Sequence, residues 1–76
     1  MVTYEVGPGG PIAFTANVDG FGPVTITSRK PGIFNGRLTD RAVLRAALTA
    51  VEAFVDEHEN ELAPHYEAMA AGQNAA

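Results

Sequence analysis

The chain reads as an α+β domain. A three-stranded antiparallel sheet, made of the N-terminal strands and a hairpin, is packed by one long amphipathic C-terminal helix that is kinked or broken near Pro64. Three observations carry this reading. Apolar residues alternate with period two as far as Ser28, Gly and Pro clusters separate the alternating runs, and after Asp40 the apolar period becomes helical. Seventy-six residues allow one domain. It divides into sheet and turns over residues 1–38, helix over 39–71 and a fraying tail over 72–76.

Val2, Tyr4 and Val6 alternate with Thr3 and Glu5, which predicts a short strand. Gly7-Pro8-Gly9-Gly10-Pro11 stops it, because proline removes a backbone donor and glycine frees the backbone. Ile12, Phe14, Ala16 and Val18 then share one face of a second strand, and Val24, Ile26 and Ser28 one face of a third. The five-residue loop Asp19-Gly20-Phe21-Gly22-Pro23 joins these two into a hairpin. Pro31-Gly32 ends the third run, and Asn35-Gly36 reads as another tight turn; the stretch around it fits a further short strand or an ordered loop.

Beyond Asp40, Leu44, Ala47, Leu48, Val51, Phe54, Val55, His58 and Leu62 fall on one helical face. Arg41, Arg45, Thr49, Glu52, Asp56 and Glu59 fall on the other. Thr39 or Asp40 supplies the N-cap. Pro64 is expected to kink or end the helix, with Asn60 capping a second segment that carries Leu62, Tyr66 and Met69. The predicted core is Phe14, Val18, Val24, Ile26, Leu44, Leu48, Val51 and Val55. Thr3, Thr15, Thr25 and Thr27 give the opposite sheet face to water. A core this small leaves Phe21, Phe34, Tyr66 and Met69 in need of cover, which points to a homodimer.

Charge is segregated along the chain. Residues 1–45 hold all five basic residues and three acids, for about +2, whereas residues 46–76 hold six acids and no base, for about −6. The helix therefore opposes its own dipole: Arg41 and Arg45 stand at its positive end, and Asp56, Glu57, Glu59 and Glu61 crowd its negative end. Each such placement costs about 0.3–1 kcal/mol at low salt. Three arrangements accommodate it: a helix that continues past Pro64, an acidic end that meets a partner, or a dimer joining the basic segment of one copy to the acidic end of the other.

The function classes narrow accordingly. A pI near 4.9 disfavours nucleic-acid binding by overall charge and suits a basic protein surface. The absence of cysteine removes disulfides and thiolate metal sites. Met1 to Val6 lacks the basic start and apolar run of a signal peptide, and no segment approaches a membrane span, so a cytoplasmic protein is expected. His58-Glu59-Asn60-Glu61-Leu62 begins like a zinc-protease motif but has leucine at the second ligand, and His65 lies two turns from His58. Ser28, the only serine, is outside any nucleophile elbow, and the Gly7 to Pro11 run loses two of its five amides to proline. No catalytic residue, metal site or cofactor is expected. The partner-binding candidates are the acids Glu52, Asp56, Glu57, Glu59, Glu61 and Glu67; Arg29, Lys30, Arg37, Arg41 and Arg45 form the alternative, a basic cluster for a phosphate, a nucleic acid or an acidic partner.

Asp19-Gly20, then Pro31-Gly32-Ile33-Phe34, then Thr39 opening an alanine-rich helix resemble the pattern of HicB-type antitoxins over residues 12–55. That resemblance implies a strand, a turn, a second strand, a turn and a capped helix, with toxin neutralisation as the role. As a short, acidic, cysteine-free chain, it is also similar as a class to the phage and mobile-element inhibitors called anti-CRISPR proteins. This likeness implies carboxylates that occupy a partner surface built to hold nucleic acid. The expectation is thus a non-enzymatic interaction module and inhibitor whose partner is a nucleic-acid-binding protein or complex.

Overall fold

A four-stranded antiparallel meander carries two helices on one face, in a computed structural model that describes residues 1–74. The strands are β1 (Val2–Val6), β2 (Ile12–Val18), β3 (Gly22–Lys30) and β4 (Ile33–Gly36), in sheet order β1-β2-β3-β4. The helices are α1 (Arg41–Glu57) and α2 (Glu59–Asn74). The expected architecture of three strands under one long helix is thereby corrected in both halves.

The fourth strand arises where a turn was expected. Asn35 and Gly36 do not reverse the chain but pair with Thr27 and Ile26. Glycine at position 36 permits a close approach: a Cβ there would lie 2.6 Å from Ile26 Cδ1 and 2.7 Å from Leu44 Cδ1, so those two side-chain ends would have to turn aside. The reversal occurs instead at Pro31-Gly32, with Gly32 at φ +80° and Lys30 opposite Ile33. Between that pair and Thr27–Asn35, Ser28 and Arg29 stand against Phe34 alone, which makes a bulge. The β2–β3 loop is also shorter than read. Val18 pairs with Gly22 and Asn17 with Pro23, leaving Asp19, Gly20 and Phe21 as the connection.

The helical half breaks at His58, not near Pro64. Asp40 caps α1 by accepting hydrogen bonds from the Ala42 and Val43 amides, and α1 ends when His58 leaves helical geometry at φ −119°, ψ 27°. The His58 N–H is shared between the Phe54 and Val55 carbonyls. Its ring stacks on Phe54 with centroids 4.0 Å apart, and its Nδ1–H donates to the Phe54 carbonyl over 2.8 Å. These contacts occupy the Phe54 and Val55 carbonyls in the last turn of α1, where the helix ends. Pro64 lies inside α2, where it removes the hydrogen bond to the Asn60 carbonyl. The helix continues through it because Leu62 and Tyr66, on either side, are pinned in the core. α2 also takes in Gly72 to Asn74. These three residues belong to the expected tail, whose last two, Ala75 and Ala76, lie outside the described residues.

The core fills the gap between sheet and helices with Ile12, Phe14, Ala16, Val24, Ile26, Ala47, Val51, Leu62 and Tyr66. Phe14, Val24, Ile26 and Val51 were predicted; Val18, Leu44, Leu48 and Val55 pack around them half-buried. Of the four side chains expected to seek cover, Tyr66 is buried, Phe34 and Met69 are half-buried against the core, and Phe21 stays 50% exposed. Thr3 and Thr25 face outward on the uncovered side of the sheet, with Thr15 and Thr27 half-covered beside them.

One polar group enters this core. Ser28 is 1% exposed, and its Oγ lies 2.7 Å from the Ile33 carbonyl, 3.0 Å from the Lys30 carbonyl and 2.9 Å from the Tyr66 hydroxyl. Carbonyls only accept, so the single serine hydrogen goes to them and the Tyr66 O–H donates to Ser28. Ser28→Ala strands the buried tyrosine hydroxyl and should cost about 1–3 kcal/mol in urea unfolding, whereas Tyr66→Phe, which leaves Ser28 its carbonyls, should cost about 0.5–1.5 kcal/mol. The double variant should lose less than the sum. At the β4 end, Gly36→Ala should destabilise by no more than about 1 kcal/mol in the same measurement, since only the ends of the Ile26 and Leu44 side chains have to turn aside and a strand glycine is itself costly.

Candidate functional site

The helix break decides where the carboxylates go. Asp56 and Glu57 close α1, while Glu59 and Glu61 fall in the first turn of α2, where the helix dipole favours them. Glu52 lies about one turn earlier on α1, and Glu67 about two turns into α2. All six are exposed. They do not share a single plane. Asp56, Glu59 and Glu67 rim a groove of about 360 Å³ beside the Pro31-Gly32 turn, with Val55, Leu62, Ala63 and Tyr66 among its lining. Glu61 turns towards the opposite sheet edge, where the Tyr4 hydroxyl of β1 donates to its Oε2. A shallower hollow of about 320 Å³ runs over the junction itself, lined by Asp56, Glu57, Glu59 and Glu61 with His58 and Asn60.

Tyr4 fastens the edge strand to both helices. Its ring centroid lies 6.1 Å from Phe14, 6.0 Å from Phe54 and 6.0 Å from His65, within the usual range of aromatic pairs. Phe34 and Phe54 extend the cluster through Phe14, at 6.3 and 6.2 Å. The hydrogen bond to Glu61 pushes the Tyr4 hydroxyl above its ordinary pKa of 10.0, and burial and the carboxylate charge push it the same way.

The basic residues separate into two groups. Arg29 and Lys30 end β3 at the Pro31-Gly32 turn. Arg37 follows β4, and Arg41 and Arg45 stand on the first turns of α1, so this group begins at the far end of β4, about 10 Å along that strand. Arg29 and Arg37 line different grooves. The two histidines also diverge, His58 onto Phe54 and His65 edge-on to Tyr4. Among the described residues, no group of three or more His, Asp or Glu side chains is placed to hold a metal ion. No helix in that range is long and apolar enough to cross a membrane.

Two pairings escape sequence reasoning, Tyr4 with Glu61 and Ser28 with Tyr66. The partners are 57 and 38 positions apart, so no local spacing announces them. For Ser28 and Tyr66 the only hint is residue type, since a buried hydroxyl needs a partner.

The Tyr4–Glu61 bond makes stability depend on alkaline pH. The folded chain holds its proton more tightly than the unfolded chain, so the contribution of this bond is intact below pH 10.0 and is lost as pH rises through the raised folded-state value. Urea midpoints measured across that window should fall with pH, and Tyr4→Phe should flatten part of the fall. An unchanged pH slope in the variant would remove this role for the bond.

Comparison with known proteins finds no matching family model, no matching curated protein and no matching solved structure.

Proposed function

We propose that the protein is a non-enzymatic interaction module that uses the acidic α1–α2 junction to occupy a basic surface of a partner protein, of the kind that otherwise holds nucleic acid. The observation that carries the reading is the groove in which Asp56, Glu59 and Glu67 rim an apolar floor from Val55, Leu62 and Ala63. Carboxylates on a polar helix face are ordinarily only solvated. Here three of them surround a concavity that offers apolar contact as well as charge. Interfaces of this construction gain affinity from the apolar centre, and gain encounter rate and partner choice from the charged rim.

The other three acids take lesser parts. Glu57 extends the rim across the junction, and Glu52 adds to the long-range field on α1. Glu61 is engaged by Tyr4 and ties α2 to β1. The similarity in size and charge to anti-CRISPR inhibitors supports the choice of partner class. The reading requires only one copy of the chain. A homodimer draws support from Phe21, half-exposed at the β2–β3 turn, and from Ile33, 54% exposed on β4.

The test is charge reversal at the groove. The triple variant Asp56→Lys, Glu59→Lys, Glu67→Lys should bind an immobilised Arg/Lys-rich peptide bearing one leucine at least about tenfold more weakly than the parent. Its far-ultraviolet circular dichroism should be unchanged, because all three side chains are exposed. Parent binding should weaken as salt rises. Equal binding by the triple variant and the parent would defeat the proposal.

A further inference from the structure

On the other side of α2 from the acidic groove lies a second concavity of about 390 Å³ with the opposite character. Its walls are apolar: Val6 at the end of β1 faces Ala68 and Met69 of α2. Its polar groups are Arg29 and His65, and no carboxylate among the described residues lines it. In a chain of net charge −4, this places a guanidinium beside an apolar trough. The remaining boundary is the β1–β2 loop. That loop is closed by a hydrogen bond from the Gly10 amide to the Gly7 carbonyl, with Gly9 at φ +67°. Gly7, Gly9 and Gly10 line the groove with backbone alone, and a Cβ on Gly7 or Gly9 would meet nothing within 4 Å.

From this arrangement we infer that the groove binds a small aliphatic monocarboxylate, with its carboxylate on the Arg29 guanidinium and its chain between Val6, Ala68 and Met69. Size, lining and charge each contribute to the assignment. The volume falls in the range of small-ligand sites, about 300–1,000 Å³. A mostly apolar lining with few polar groups is the usual composition of such sites, and one guanidinium matches one carboxylate in a bidentate fork. Inorganic phosphate would meet the charge but leave the apolar walls in water. An alcohol of the same chain length would cover the walls but leave the arginine without its counter-charge. None of this draws on the acidic junction, so the two sites stand or fall separately.

The experiment titrates the full chain, labelled with nitrogen-15, with butanoate, pentanoate and hexanoate at constant ionic strength, reading amide shifts. Saturable shifts should centre on Gly7, Gly9, Gly10 and Arg29. Affinity should rise roughly fourfold per added methylene, as expected for chain carbons withdrawn from water. Hexanol and inorganic phosphate should each bind at least about tenfold more weakly than hexanoate. Arg29→Gln removes the charge, and Ala68→Glu puts a carboxylate into the trough at an exposed helical position where folding is not at risk. Each should lower hexanoate affinity about tenfold, while Arg37→Gln should leave it unchanged. The inference is overturned by the absence of saturable shifts at about 10 mM hexanoate. It is equally overturned by affinity that does not depend on chain length, by hexanol or phosphate binding as well as hexanoate, or by Arg37→Gln acting as strongly as Arg29→Gln.

Discussion

The seating of α2 on the sheet depends on two hydroxyls that meet in the core. Tyr66 donates to Ser28, and Ser28 in turn donates to the carbonyls at the Pro31-Gly32 turn. One chain of hydrogen bonds thus links the middle of α2 to the bulged end of β3 and to the start of β4. Buried hydroxyls are costly when unpaired, so sheet and helix can approach only in the arrangement that satisfies both. Leu62, one turn earlier on the same face, adds apolar contact without direction; the hydroxyl pair supplies the direction.

The segregation of charge along the chain acquires a different meaning in this frame. On a single helix that ended near Pro64, Asp56, Glu57, Glu59 and Glu61 would all stand at the unfavourable end. The interruption at His58 transfers Glu59 and Glu61 to the first turn of a new helix, the end at which the helix dipole favours negative charge. Asp56 and Glu57 remain at the end of α1, and Arg41 and Arg45 remain at its start beside the Asp40 cap. Two of the six opposed charges are therefore relieved by chain geometry. Of the four that remain, Asp56 and Glu57 sit at the junction hollow, Asp56 also on the rim of the acidic groove.

α2 also divides the surface. One flank carries Asp56, Glu59 and Glu67 over an apolar floor; the other carries Arg29 and His65 over an apolar trough bounded by the glycine loop. Tyr4 and Glu61 tie the second flank to β1. The two grooves lie on either side of this one helix because His65, Ala68 and Met69 face one flank of α2 and Glu59, Ala63 and Glu67 the other. A 76-residue chain thereby presents two chemically distinct surfaces around a single core, within overall extents of 42 × 24 × 18 Å.

Periodicity by itself determined the class α+β, the first three strands, their inward faces and the capped start of the helical half. Each rests on contacts between residues close in sequence, which spacing records directly. Asn35-Gly36 was misread because glycine has two uses, and only the positions of Ile26 and Leu44 show that close approach, not reversal, governs here. Pro64 was misread because its local cost is fixed, whereas the hold of Leu62 and Tyr66 on the core comes from residues on the sheet. The six acids were legible as a group, yet their division between two flanks was not, since it depends on where α1 stops. What the tertiary structure alone decided are the pairings Ser28–Tyr66 and Tyr4–Glu61 and the grooves beside them. They join residues 38 and 57 positions apart, and no one-dimensional pattern encodes a distance that exists only after the chain has closed on itself.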